Sequence, residues 1–146
     1  MYLRELRISY APRSDLPSVN DHAVVNSARD ALSILRPILE HEPVEVFGLL
    51  CLTTKLHLIA YHELSRGTLD ATLVHPRDVF QVAFLTNAAV LILGHNHPSG
   101  DPTPSPDDLV LTQRLVAAGE LLGVDVLDHI ILGDQTYYSF KEHGHL

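Results

Sequence analysis

Residues Ala88 to Leu93 form a continuous apolar run, closed by Gly94. The run is short and rich in branched side chains, which reads as a strand rather than a helix. Its lack of polar alternation means that both faces are buried. Such a strand belongs at the centre of a sheet covered on both sides, so the rest of the chain must supply further strands and helical cover.

The flanking sequence supplies both. Ala28, Ala31, Leu32, Leu35, Ile38 and Leu39 recur at helical spacing, with Asn26 or Ser27 as N-cap, and Pro37 is expected to kink or end this helix. Val44 to Leu52 and Lys55 to His62 read as a hairpin-like pair around a short turn at Thr53 and Thr54, and Leu69 to Val74 as a further strand. His75-Pro76-Arg77-Asp78 starts a helix that runs to about Asn87, with proline where its missing N–H costs nothing. A helix follows Ser105 and stops at Gly123. Val124 to Leu132 and Thr136 to Phe140 are strands joined at Gly133-Asp134. The fold class is α/β: one domain with a mixed central β-sheet flanked by about three helices. Residues 1–25 are expected to hold an N-terminal strand, Leu3 to Tyr10, and a proline-containing connection. Residues 26–146 form the main body of one globular unit.

At 146 residues and 46% hydrophobic content the chain can fill one core unaided. Cys51 is the single cysteine, which excludes an intrachain disulfide and a cysteine-rich zinc cluster, and it reads as an inert core thiol. The lack of disulfides favours a reducing, cytoplasmic setting. Neither a secretory signal nor a membrane span is legible. The excess of 18 acidic over 10 basic residues gives a formal charge of −8, which disfavours nucleic acid as a partner.

The chemistry concentrates just past the central strand, in GHNHPSGDPTPSPDD, Gly94 to Asp108. His95 and His97 stand two apart at a strand end, so both imidazoles point to one side of the sheet and can converge on one ion. A catalytic zinc needs a third protein ligand and an open fourth position; Asp101, Asp107 and Asp108 are the local candidates. The prolines at 98, 102, 104 and 106 stiffen the loop. Ser105-Pro106-Asp107-Asp108 is also an ordinary helix start, which explains those four residues without explaining the two histidines.

His95-x-His97-Pro98, six residues, then Ser105-x-x-Asp108 resembles the JAMM motif of the JAB/MPN zinc metalloproteases. The string HNHPSGDPTPS, with SRGTLDATLVHPRDVF at Ser65 to Phe80, NAAVLIL after it, and LGVDVLDHIILG at Leu122 to Gly133, is similar to the RadC-like branch of that family. The resemblance runs from Asn26 to Phe140. It implies a JAB/MPN-like metal-binding domain over residues 26–146, with Zn2+ held by His95, His97 and Asp108. It further implies that Ser105 donates to the reacting carbonyl and that a glutamate on an upstream strand acts as general base. The segment Pro43 to Leu50 resembles the one that carries this base, which nominates Glu45, with Glu42 and Glu63 as weaker candidates. The implied activity is a zinc-dependent hydrolase that cleaves a peptide or isopeptide amide bond in a protein or peptide substrate. The alternatives are a DNA-associated protein or nuclease acting in DNA repair, from the traditional association of the branch, and a non-catalytic interaction module. Members of the branch commonly carry a helix-hairpin-helix region ahead of this domain, and only about 25 residues precede the match here, so the chain reads as a stand-alone domain.

Arg66 and Gly67 read as a turn with a solvated arginine. Asp128-His129, in an apolar strand, reads as a hydrogen-bonded support for the sheet or the metal ligands. Asn96 is expected to bond the loop backbone, and His75 to belong to a helix start. Sheet edges could pair two chains into a homodimer or accept an extended substrate.

Overall fold

The computed structural model describes residues 1–67 and 74–146. Three helices and five strands follow in the order α1 (Ala28–Leu39), β1 (Val46–Leu52), β2 (Leu58–Arg66), α2 (Pro76–Leu85), β3 (Val90–Asn96), α3 (Pro106–Leu122), β4 (Asp125–Leu132) and β5 (Tyr137–Ser139). They build the expected α/β domain with a mixed sheet, in strand order β2-β1-β3-β4-β5. β3 pairs antiparallel with β1 and parallel with β4, across the crossover that α3 makes.

The apolar run is the middle strand, and its alternation divides the core in two. Val90 and Ile92 join Leu35 and Leu39 of α1 on one side of the sheet, while Leu91 and Leu93 join Val79 and Phe80 of α2 and Leu111 and Leu115 of α3 on the other. Each step of two residues keeps the face, so His95 continues the side occupied by α3. Gly94 continues the α1 side, where a Cβ would lie 2.7 Å from Leu35 Cδ1, so its lack of a side chain sets how closely α1 approaches.

Several local expectations are corrected. Leu3 to Tyr10 forms no strand, and Leu3, Leu6 and Ile8 project into solvent. Alternation makes a segment able to pair, but a strand exists only where an edge accepts its backbone. The edges β2 and β5 take nothing from this stretch, and the bridge closest to it joins Val24 to His57. Pro37 neither ends nor breaks α1, which runs on to Leu39. Pro37 is exposed, so the carbonyl deprived of a partner, that of Ser33, faces water, while burial of Leu39 holds the last turn. The β1–β2 turn is longer than two residues. Thr53 N–H donates to His57 O, the Thr53 hydroxyl accepts from His57 N–H at 3.2 Å, and Leu56 takes a left-handed φ of 62°, so β2 starts at Leu58. The expected strand at Leu69 to Val74 lies almost wholly outside the described residues.

Among the described residues, no helix is long and apolar enough to cross a membrane.

Candidate metal centre

The site lies at the carboxyl end of β3, outside the edge of the sheet, where parallel βα units place their functional loops. β3 extends through His95 and Asn96 rather than stopping at Leu93, so the first histidine is held by the sheet itself. Phe47 of β1 pairs with His95 in the ladder and stacks on its ring, with centroids 5.6 Å apart and planes at 17°. His97 follows immediately. Its N–H donates to Leu132 O, and its Nδ1–H donates to the backbone carbonyl of Asp101 at 2.8 Å. A carbonyl only accepts, so Nδ1 of His97 carries the hydrogen and Nε2 presents a lone pair.

α3 brings the third group. Ser105 is its N-cap in a reciprocal capping box: the Ser105 hydroxyl accepts from Asp108 N–H at 3.1 Å, and the Asp108 carboxylate accepts from Ser105 N–H at 2.8 Å. This local chemistry aims Asp108 back over β3. Its Oδ1 lies 3.4 Å from His95 Nε2 and its Oδ2 3.3 Å from His97 Nε2, while the two Nε2 atoms are 3.0 Å apart. A tetrahedral ion with ligand bonds of about 2.0–2.1 Å sets its ligand atoms roughly 3.3 Å from one another. The two Nε2 atoms and the Asp108 carboxylate, which offers a different oxygen to each imidazole, thus lie at spacings close to that value, and these residues together are able to hold a metal ion. Two imidazoles and one carboxylate leave the fourth vertex to solvent or substrate, the pattern of catalytic rather than structural sites.

The electrostatics agree. Burial raises the pKa of the Asp108 carboxyl, yet the two imidazoles, in their protonated forms, and the Ser105 N–H outweigh it and hold this group well below the usual carboxylate range. The Asp108 carboxylate in turn raises His97. Asp101, the rival third ligand, points elsewhere: its carboxylate accepts from Thr103 N–H and from the Thr103 hydroxyl at 2.9 and 2.7 Å. Asp107 is exposed.

The three candidate glutamates separate cleanly. Glu42 and Glu63 both bind Arg66, at 2.6 and 2.7 Å, so Arg66, exposed as expected, is a paired residue at the end of β2 rather than one in a turn. Glu45 precedes β1. The β1–β3 ladder ends at Phe47 and His95, and Glu45, two residues before Phe47, has the parity of the sheet face on which Phe47 stacks on His95. Its charge is close enough to contribute to the rise of the His97 pKa. A cleft of about 270 Å³ opens beside His97, bordered by Glu42, Asn96, Pro98 and Asp134.

Asn96 does not bond its own loop. Its Oδ1 accepts from Val46 N–H at 2.7 Å, and its Nδ2 donates to Val44 O at 2.9 Å and to Glu42 O at 3.2 Å, stitching β3 to the start of β1. Cys51 is buried, which pushes its thiol up and makes it unreactive, and His75 is the N-cap of α2. His129 supports the site as expected: it is wholly buried, stacked on Phe140 at 4.7 Å, and its Nε2 lies 2.8 Å from His95 Nδ1. Desolvation drives its pKa well below the ordinary histidine value. Phe47, stacked on His95, and Thr112, whose hydroxyl lies 2.6 Å from His129 Nδ1, line the back of the site, and sequence reasoning missed both. Apolar or hydroxyl side chains at core positions carry no local signal, and only the register shows what they touch.

Fold and centre together define a class: an α/β domain whose central strand delivers two histidines, and whose following helix delivers an aspartate, to a buried site able to hold a metal. The chain belongs to the family described as the RadC-like JAB domain, which matches residues 25–145. Among its relatives are UPF0758 proteins from Alkaliphilus metalliredigens, 45% identical over 135 residues (92% of this chain, 58% of the relative), and from Thermotoga maritima, 52% identical over 108 residues (74% and 47%). A third, from Methanosarcina barkeri, is 44% identical over 120 residues (82% and 52%). The chain thus spans about half to three fifths of the length of these relatives.

Proposed function

We propose that this domain is a zinc-dependent hydrolase of the JAMM type that cleaves a peptide or isopeptide amide bond. The observation that carries the reading is the convergence of His95 Nε2, His97 Nε2 and the Asp108 carboxylate, with contacts of 3.0, 3.3 and 3.4 Å among them. His95, His97 and Asp108 would hold the ion, and their chemistry suits zinc, which takes imidazole nitrogen and carboxylate oxygen together. Zinc in that position supplies a Lewis acid and brings the pKa of water from 15.7 to about 7.

The protein's own groups do the rest. Glu45, on the same face as the ligands, is the candidate to accept the proton of the attacking water and return it to the leaving amine. The Ser105 hydroxyl uses a lone pair to cap α3, leaving its proton to donate to the oxyanion that develops on the substrate carbonyl. The cleft beside His97 gives an extended chain room to approach from the Asn96 side.

The test is elemental analysis of untagged protein, followed by hydrolysis assays on peptide and isopeptide substrates. One zinc per chain is expected, with Glu45→Gln retaining zinc and losing turnover by at least about 100-fold. Protein that folds without zinc after zinc supplementation would end the proposal. A DNA-processing role would instead show binding that weakens steeply with salt, which the formal charge of −8 opposes.

A further inference from the structure

The two ring nitrogens of His95 face different surroundings: Nε2 points at Asp108 and His97, whereas Nδ1 lies 2.8 Å from Nε2 of His129. Which nitrogen carries the hydrogen decides whether Nε2 can ligate at all, and the contacts behind His129 determine it.

The chain of contacts ends on a backbone carbonyl. The Thr112 hydroxyl lies 2.7 Å from Asp108 O, which only accepts, so the single hydroxyl proton of Thr112 is committed there. The same hydroxyl oxygen is 2.6 Å from Nδ1 of His129. It must accept that contact, so Nδ1 of His129 bears a hydrogen. His129 is wholly buried between Phe140, stacked at 4.7 Å, and the edge of Phe47 at 5.5 Å, surroundings in which a second proton and its charge are costly. The ring is therefore neutral and its Nε2 is an acceptor. The hydrogen between the two histidines then belongs to His95, on Nδ1.

We propose that Thr112 and His129 are positioning residues that lock His95 in its Nδ1–H tautomer, leaving Nε2 as the lone pair that binds the metal. This inference rests on His95 being a metal ligand. It also gives the site a closed logic: Asp108 contributes its carboxylate to the ligand set and its main-chain carbonyl to the relay that prepares the facing histidine. One turn of α3 thus sets both. His97 needs no such relay because Asp101 O fixes its tautomer directly.

The experiment reads the tautomer in metal-free protein, by long-range proton–nitrogen NMR correlation of the histidine rings, and zinc affinity by competition with a chelator. In the wild-type protein Nδ1 of His95 is expected to be protonated and Nε2 not. Thr112→Val and His129→Phe should mix or invert this pattern and weaken zinc by roughly 10- to 100-fold, the usual effect of losing a partner behind a ligand. Thr112→Ser and His129→Gln, whose side-chain oxygens can still accept in the relay, should restore both readouts. That rescue separates positioning from a loss of packing. A hydrogen on Nε2 of His95 in metal-free wild-type protein overturns the relay, as does Thr112→Val with unchanged tautomer and zinc affinity. The underlying reading fails separately, through a wild-type protein that shows the expected tautomer and binds no zinc.

Discussion

Asn96 Oδ1 accepts the amide hydrogen of Val46 at 2.7 Å, a buried bond that fastens the strand end carrying the histidines to the strand start that follows Glu45. The same side chain donates to Val44 O and Glu42 O, so one residue positions the whole segment on which the candidate base is mounted. Asn96→Ala leaves the Val46 N–H without its partner, at a cost of about 1–3 kcal/mol. Zinc affinity is expected to change less than threefold while amide hydrolysis falls at least tenfold, because Glu45 is released and the ligands are not. Denaturation curves alongside a chelator titration and a rate measurement check the three parts.

Metal binding should appear as stability. A ligand that binds only the folded chain, at 100 times its Kd, adds about 2.7 kcal/mol, or roughly 5–10 °C in Tm for a domain of this size. Asp108→Asn can keep its capping bond to Ser105 N–H but loses the anionic ligand, so it should fold and show almost no zinc-dependent shift. An equal shift in wild type and Asp108→Asn, measured by calorimetry, would remove Asp108 from the ligand set.

Two glycines differ in what a methyl group would strike. At Gly133 a Cβ would sit 2.4 Å from Gly100 O and 2.7 Å from Pro102 Cδ, in the loop whose Asp101 carbonyl holds His97. At Gly94 it would meet the flexible end of Leu35 on the far side of the sheet. Gly133→Ala should therefore weaken zinc at least tenfold, whereas Gly94→Ala should cost about 1–3 kcal/mol of stability with zinc affinity unchanged. Chelator competition and urea denaturation on both variants distinguish them.

Burial raises the Asp128 carboxyl above the ordinary range despite hydrogen bonds from the Ser139 hydroxyl and from the amides of Lys141 and His129. An acid with a raised folded-state pKa binds its proton more tightly when folded. Its contribution is most favourable below the unfolded value of about 3.9, and it declines as pH rises to the folded value, above which the loss is complete. Relative to wild type, Asp128→Asn should gain stability as pH rises from the ordinary carboxylate range toward neutrality. Urea denaturation of both proteins from about pH 4 to pH 7 gives the sign of that difference.

Much of this was written locally. The candidate ligands His95 and His97, the cap Ser105 and Asp108 lie within fourteen positions, Ser105 to Asp108 being one helix start; strand alternation and a capping box act over a few residues, so their geometry is legible without the fold. The Leu3–Tyr10 strand and a helix end at Pro37 failed for the complementary reason: pairing needs a receptive edge, and a helix end depends on what its last turn buries.

The sequence by itself determined a covered central strand, its helices and a set of residues able to meet at one ion. The tertiary structure alone decided that Glu45 comes close enough to His97 to raise its pKa, that Arg66 pairs with Glu42 and Glu63, that Asp101 turns away, and that Thr112, His129 and Phe47 line the back of the site. Those choices depend on strand register and on which face each residue shares with an element far along the chain. No short-range pattern encodes them, because hydrogen bonding and packing across a sheet join residues whose separation in sequence carries no information about their separation in space.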